Sequence, residues 1–125
     1  MRALQKGFTL IELIVVMSIV SLLLTLAAPR YFHSIDRSKE TVLKANLFAT
    51  RDALDKFHAD TGRYPEQLAE LVSRHYLRTL PWDPIVESSE LWVITPPGPG
   101  QTGAVYNINS AAEGSDSDGV PYAEL

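Results

Sequence analysis

Lys6-Gly7-Phe8-Thr9-Leu10-Ile11-Glu12-Leu13-Ile14-Val15-Val16 opens the stretch that decides the fold. From Phe8 to Ala28 there are 21 residues, and only Thr9, Glu12, Ser18, Ser21 and Thr25 among them are polar. A helix of that length is about 31 Å long, enough to cross a hydrocarbon core. Arg2 and Lys6 are the charged side chains ahead of it, which predicts that this end stays cytoplasmic and that residues 30–125 lie on the far side of the membrane.

Two ordinary explanations of a basic-then-apolar start fit less well. A secretory signal peptide would be cut near Leu26-Ala27-Ala28, but Pro29 follows at once, and the run exceeds the apolar core of about 7–15 residues that such peptides use. A plain membrane anchor leaves Glu12 unexplained. A carboxylate inside a spanning helix is costly and marks a partner or a function, unless it lies near the interface and snorkels to water.

The contiguous run from Lys6 to Val16 resembles the cleavage and methylation signal of type IV prepilins and of the pseudopilins of type II secretion systems. The resemblance implies that residues 1–7 are a leader, that a prepilin peptidase cuts between Gly7 and Phe8, and that Phe8 becomes the N-methylated first residue. It also implies that Glu12 of one subunit meets the Phe8 amine of the next, so that Glu12 and Phe8 govern assembly. A desolvated ion pair adds little raw stability but is expensive to break, so it specifies register.

The rest of the chain divides at Pro29 and Gly62. Pro29 directly follows the apolar run and predicts a helix break, or the start of a second helix, at the membrane edge. Residues 29–61 read as an amphipathic helix continuing outward. Ile35, Val42, Leu43, Leu47, Leu54 and Phe57 recur on one face, filled by Ala49, Thr50 and Ala53. The other face carries Glu40–Lys44 and Asp52–Lys56 at ion-pair spacing. A coiled-coil dimer is the weaker reading, because the apolar face lasts only about three heptads.

Gly62 predicts the stop. A short helix with Pro65 in its first turn follows, carrying Leu68, Leu71 and Val72, and then Pro81-Trp82-Asp83-Pro84 excludes further helix. Leu91–Ile94 and Ala104–Ile108 have strand composition and predict an antiparallel hairpin against the Leu43–Phe57 face. The fold expected is α+β: a long N-terminal helix, half transmembrane and half amphipathic, packed on a small antiparallel sheet, like a type IV pilin. Residues 62–125 form the small periplasmic head. Here the chain resembles the G-type major pseudopilins through Gly62, Tyr64, Pro65, Leu80, Pro81, Asp83 and Pro84, with Tyr64 and Trp82 expected to be packing residues.

The chain has 125 residues and a formal net charge of −4, unevenly spread. Arg30 to Arg78 holds nine basic and seven acidic residues, whereas beyond Arg78 there are seven acids and no Lys or Arg. That acidic end repels phosphate backbones and argues against nucleic-acid binding. Asn107 to Gly119 is rich in oxygen ligands, and Asp116-Ser117-Asp118-Gly119 resembles part of a calcium loop. G-type pseudopilins bind calcium in this region, so the resemblance implies a calcium site at Asp116 and Asp118, helped by Ser110 and Ser115. This chain departs from their motif, since Ala112-Glu113-Gly114 and Ser117-Asp118-Gly119 both compete for the Ala-Asp-Gly place.

The sequence has no cysteine, which excludes a disulfide framework and a thiol nucleophile. His33, His58 and His75 have no metal or triad spacing, and no glycine-rich stretch resembles a phosphate loop, so no enzyme and no organic cofactor is expected. The family resemblance implies a major pseudopilin that polymerises into a periplasmic pseudopilus. Its partners would be other copies, other pseudopilins, the prepilin peptidase, the inner-membrane assembly platform and the secretion ATPase. A type IV pilin for adhesion, motility or DNA uptake is the alternative, disfavoured by the missing disulfide. A minor pseudopilin is disfavoured by Glu12 and the small head.

Overall fold

A computed structural model describes residues 6–125. Arg2 and most of the leader therefore lie outside the described residues. The chain forms two compact units, one ending at Asp36 and one covering Arg37–Leu125.

Helix α1, Leu10–Thr61, runs through both units. In the first unit its apolar side chains bury nothing. Leu10, Ile11, Ile14, Leu22, Leu23, Leu24 and Leu26 are all exposed, and the helix is long and apolar enough to cross a membrane. A helix that is apolar on every side needs an apolar surrounding. Two of its hydroxyls bond back to the helix: Ser18 Oγ donates to the Ile14 carbonyl and Thr25 Oγ1 to the Ser21 carbonyl, each at 2.8 Å. Such back-bonding lets Ser and Thr sit in hydrocarbon at low cost. The break expected at Pro29 is absent, because α1 continues through it. One missing backbone donor is a local loss, and several turns of helix on either side hold the register.

The second unit is built on the outer part of α1. Its buried residues are Glu40, Leu43, Leu47, Thr50, Ala53, Leu54 and Phe57, a stripe advancing in steps of three and four. Val42 and Ala49, expected on this face, are exposed, and Ile35 is only half-buried. Val42 sits one residue short of Leu43, hence about 100° round the helix. Leu43, Leu47, Leu54 and Phe57 join Leu68, Leu71, Trp92, Val105 and Ile108 in one core.

Gly62 ends α1 as expected, with φ 76° and its amide donating to the His58 carbonyl at 2.8 Å. Helix α2, Leu68–Ser73, begins later than expected. Pro65 is not in its first turn, because the Pro65 carbonyl accepts from the amides of Ala104 and Val105. The same contact moves the second strand. Strands β1, Trp92–Thr95, and β2, Asn107–Ser110, pair antiparallel with Trp92 opposite Ser110 and Thr95 opposite Asn107. Ala104 and Val105, expected in that strand, bond Pro65 instead, so pairing starts at Asn107. A 3-10 turn at Tyr122–Glu124 follows the acidic loop.

Trp82 is not a packing residue: it is 49% exposed, while Trp92 is buried with its indole N–H donating to the Pro81 carbonyl at 3.1 Å. Tyr64 is buried as expected and stacks on His58.

Candidate functional site

The first candidate site is the start of α1. Residues 6–9 are non-helical, Gly7 has no neighbour near enough to touch an added Cβ, and Phe8 is 85% exposed. The Gly7–Phe8 bond therefore lies in an exposed, non-helical stretch. Immediately after it, Thr9 and Glu12 cap the helix reciprocally. The Glu12 amide donates to Thr9 Oγ1 at 3.1 Å, and the Thr9 amide donates to Glu12 Oε2 at 3.2 Å. This is a capping box. It turns the carboxylate back over the helix N-terminus, where the aligned backbone dipoles favour a negative charge, one residue from the Phe8 nitrogen. Thr9-x-x-Glu12 ahead of an apolar run is the sequence signal of such a cap, so Glu12 has a local role besides the assembly role expected of it.

The second candidate is the acidic loop, and here the expected ligand set does not assemble. Ser110 Oγ donates to Asp83 Oδ2 at 2.5 Å, and Asp83 Oδ1 accepts from the amides of Ile85 and Val86. Ser110 is thus a strut between β2 and the Pro81–Pro84 turn. Ser115 and Asp118 are exposed. Asp116 is buried, and its Oδ1 accepts from the amides of Asp118 and Val120, each at 2.9 Å. Its Oδ2 has no hydrogen bond, and the cation facing it is Lys44 Nζ at 3.2 Å. Among the described residues no three His, Cys, Asp or Glu side chains gather as metal ligands.

Glu40 and Lys44 differ from the surface ion pair that their spacing predicts. They do not pair across one turn of α1. Glu40 is buried and receives three donors from the loop: the Ser117 amide at 3.0 Å, the Ser117 hydroxyl, and the Tyr122 hydroxyl at 3.2 Å. The Ser117 hydroxyl, chiefly, holds the Glu40 carboxyl below its usual range, against burial and the neighbouring Asp116 charge, which push it up. Asp116 is lowered as well, first by the Val120 amide and then by Lys44. The signal for Glu40 was its place three residues before Leu43 and seven before Leu47, on the core stripe. Asp52–Lys56 does form the expected surface pair, at 2.8 Å.

The family described as the prokaryotic N-terminal methylation motif matches residues 2–28. The chain is similar to type II secretion system core protein G of Klebsiella pneumoniae, 32% identical over 88% of this chain and 86% of that protein. It is also similar to core protein G of Pseudomonas aeruginosa, 35% identical over 66% of this chain and 70% of that protein. The type IV major pilin protein PilA of Myxococcus xanthus is 36% identical, but over 54% of this chain and 30% of that pilin. The match to core protein G of Klebsiella pneumoniae spans most of both chains, whereas the match to the pilin spans about half of this chain and under a third of that pilin. No solved structure matches the chain.

Proposed function

This chain belongs to the type II secretion system core protein G family, and on that premise we propose that it is the structural subunit of a periplasmic pseudopilus. Its helix from Leu10 onward serves as an inner-membrane anchor, and the Arg37–Leu125 unit is the periplasmic head. The prepilin peptidase cuts after Gly7 at the cytoplasmic face and methylates the Phe8 nitrogen. An assembly platform and a secretion ATPase then add subunits at the base, and the growing fibre moves cargo outward. The subunit's work is mechanical, and the chemistry is done to it rather than by it.

The observation that carries this reading is the start of α1: an open Gly7–Phe8 bond with the Glu12 carboxylate turned back beside it. In lipid, Glu12 lacks water, and the new Phe8 ammonium lacks a counter-ion. A neighbouring copy supplies the missing partner to each, so the pair sets the register between copies. Polar partners matter more than apolar ones here, because lipid tails solvate leucine as well as another helix does.

Mass measurement of the protein from cells that hold the peptidase tests the reading. The expected product begins at Phe8 and carries one methyl group. Retention of Met1, or trimming near Ala27 and Ala28, would remove the cation and with it the assembly mechanism.

A further inference from the structure

The charges behind the acidic loop describe a closure that needs no metal. The loop folds on its own backbone: the Asp116 amide donates to the Val120 carbonyl at 2.8 Å, the Gly119 amide to the Asp116 carbonyl at 3.0 Å, and the Tyr122 amide to the Gly114 carbonyl at 3.1 Å. Two side chains one turn apart on α1 then hold it. Glu40 takes the Ser117 and Tyr122 donors, and Lys44 faces the otherwise unbonded Oδ2 of buried Asp116.

Calcium fits these residues poorly. It takes about six to eight oxygens from carboxylates, carbonyls and water. Asp116 Oδ1 is already committed to two amides, Ser110 is committed to Asp83, and an ammonium stands at the remaining Asp116 oxygen. A divalent ion there would have to displace Lys44.

We propose that Lys44 is the built-in cation of this loop, an ammonium tethered to α1 that takes the place of a dissociable divalent ion, with Glu40 clamping the loop beside it. The head therefore keeps its C-terminal loop closed without calcium. The inference does not depend on filament formation. It changes what limits the protein outside the cytoplasm: loop closure follows from folding alone and does not vary with the divalent ion supply.

The test uses the full-length mature protein in detergent micelles, melted with excess chelator and with millimolar calcium, alongside Lys44→Met, Lys44→Arg and Lys56→Met. Wild type is expected to melt at the same temperature in both. A ligand a hundredfold above its Kd would instead raise Tm by roughly 10 °C in a domain of this size, and such a rise overturns the proposal. Lys44→Met, which keeps most of the stem and loses the charge, is expected to melt about 5 °C or more below wild type in chelator. The amides of residues 116–120 and of Tyr122 should exchange faster in that variant, and Lys44→Arg should restore both. Lys56→Met removes an exposed pair and should leave Tm unchanged. Wild-type melting and exchange by Lys44→Met also overturns the idea. If Lys44→Met fails to fold, the wild-type comparison and Lys44→Arg still decide.

Discussion

Glutamine at position 12 separates the two jobs of that side chain. As a helix cap, Glu12 accepts the Thr9 amide at 3.2 Å while its own amide donates to Thr9 Oγ1 at 3.1 Å. Glutamine has the same acceptor oxygen, and capping boxes use Glu and Gln alike, so Glu12→Gln keeps the stabilisation of about 1 kcal/mol that a cap provides. What it loses is the charge. In the fibre, a Phe8 ammonium left unpaired in lipid costs about 3–5 kcal/mol at each subunit contact. That is a factor of roughly one hundred to several thousand in the association constant. The variant should insert into the membrane, be cleaved and be methylated as wild type, which membrane fractionation and intact mass measure. Sheared fibre yield should fall to about 1% or less. Glu12→Ala should fail in the same way, with loss of the cap added. Wild-type fibre yield from Glu12→Gln would refute the reasoning, because it would leave the carboxylate with no task beyond its own helix.

Gly103 has φ 110°, and a Cβ there would lie 2.2 Å from the Tyr64 carbonyl oxygen; Gly103→Ala should cost about 2 kcal/mol or more. Gly98→Ala meets nothing and should melt within a degree or so of wild type, so equal Tm values for the two would be contrary evidence. Phe48 is 75% exposed on the outer side of α1; Phe48→Ser should leave the melt unchanged and reduce fibre yield, and a lowered Tm would instead assign it to the head. Acid should loosen the head. Glu70, held low chiefly by the Arg63 guanidinium, and Glu40 and Asp116, held low by their donors, lie below ordinary values of 4.5, 4.5 and 3.8. A carboxylate lowered by folding stabilises above its unfolded pKa and loses that contribution as pH falls through the folded one. Tm should therefore be level from neutrality to about pH 5 and decline below about pH 4.5; a level Tm down to about pH 3 would contradict the assignment.

What could be read from residue order was whatever depends on neighbours along the chain. The apolar run from Phe8 to Ala28, the helix to Thr61 and the stop at Gly62 follow from local pattern, and the structure has them. Val42 neighbours Leu43 in the sequence, but each residue turns about 100° round the helix axis, which carries the valine off the core stripe. The second strand began late because Ala104 and Val105 bond Pro65, some forty positions away, and no local propensity encodes that. Glu40 and Lys44 were read as a surface pair because four-residue spacing is an adequate explanation on its own. Only the fold brings Asp116 and Ser117 up to them, and once those donors and charges arrive, Glu40 is more fully satisfied by Ser117 and Tyr122 than by a lysine one turn away. At the other end of the chain the capping box is legible as Thr9-x-x-Glu12, because both of its bonds lie within one turn.

The two units bury their apolar residues in different ways, and the difference bears on what drives assembly. In the Arg37–Leu125 unit, Leu43, Leu47, Leu54, Phe57, Leu71, Val105 and Ile108 are each at most 1% exposed, so that unit needs nothing further to keep its core dry. The helix before Ala28 buries none of its large side chains, and lipid is a complete solvent for all of them. Apolar burial is therefore available to this segment without a second copy, and it cannot be the force that selects a fibre over dispersed subunits. On the proposed processing, the charges that lipid leaves without a counter-ion are the Glu12 carboxylate, which has only its Thr9 cap, and the amine expected at Phe8. On that proposal, an assembly that brings an amine to each carboxylate would be favoured over the dispersed state by those groups, and its register would follow their positions rather than the apolar surface around them. This is why a change of one charge at residue 12 should matter more to the fibre than larger changes among the leucines of the same span.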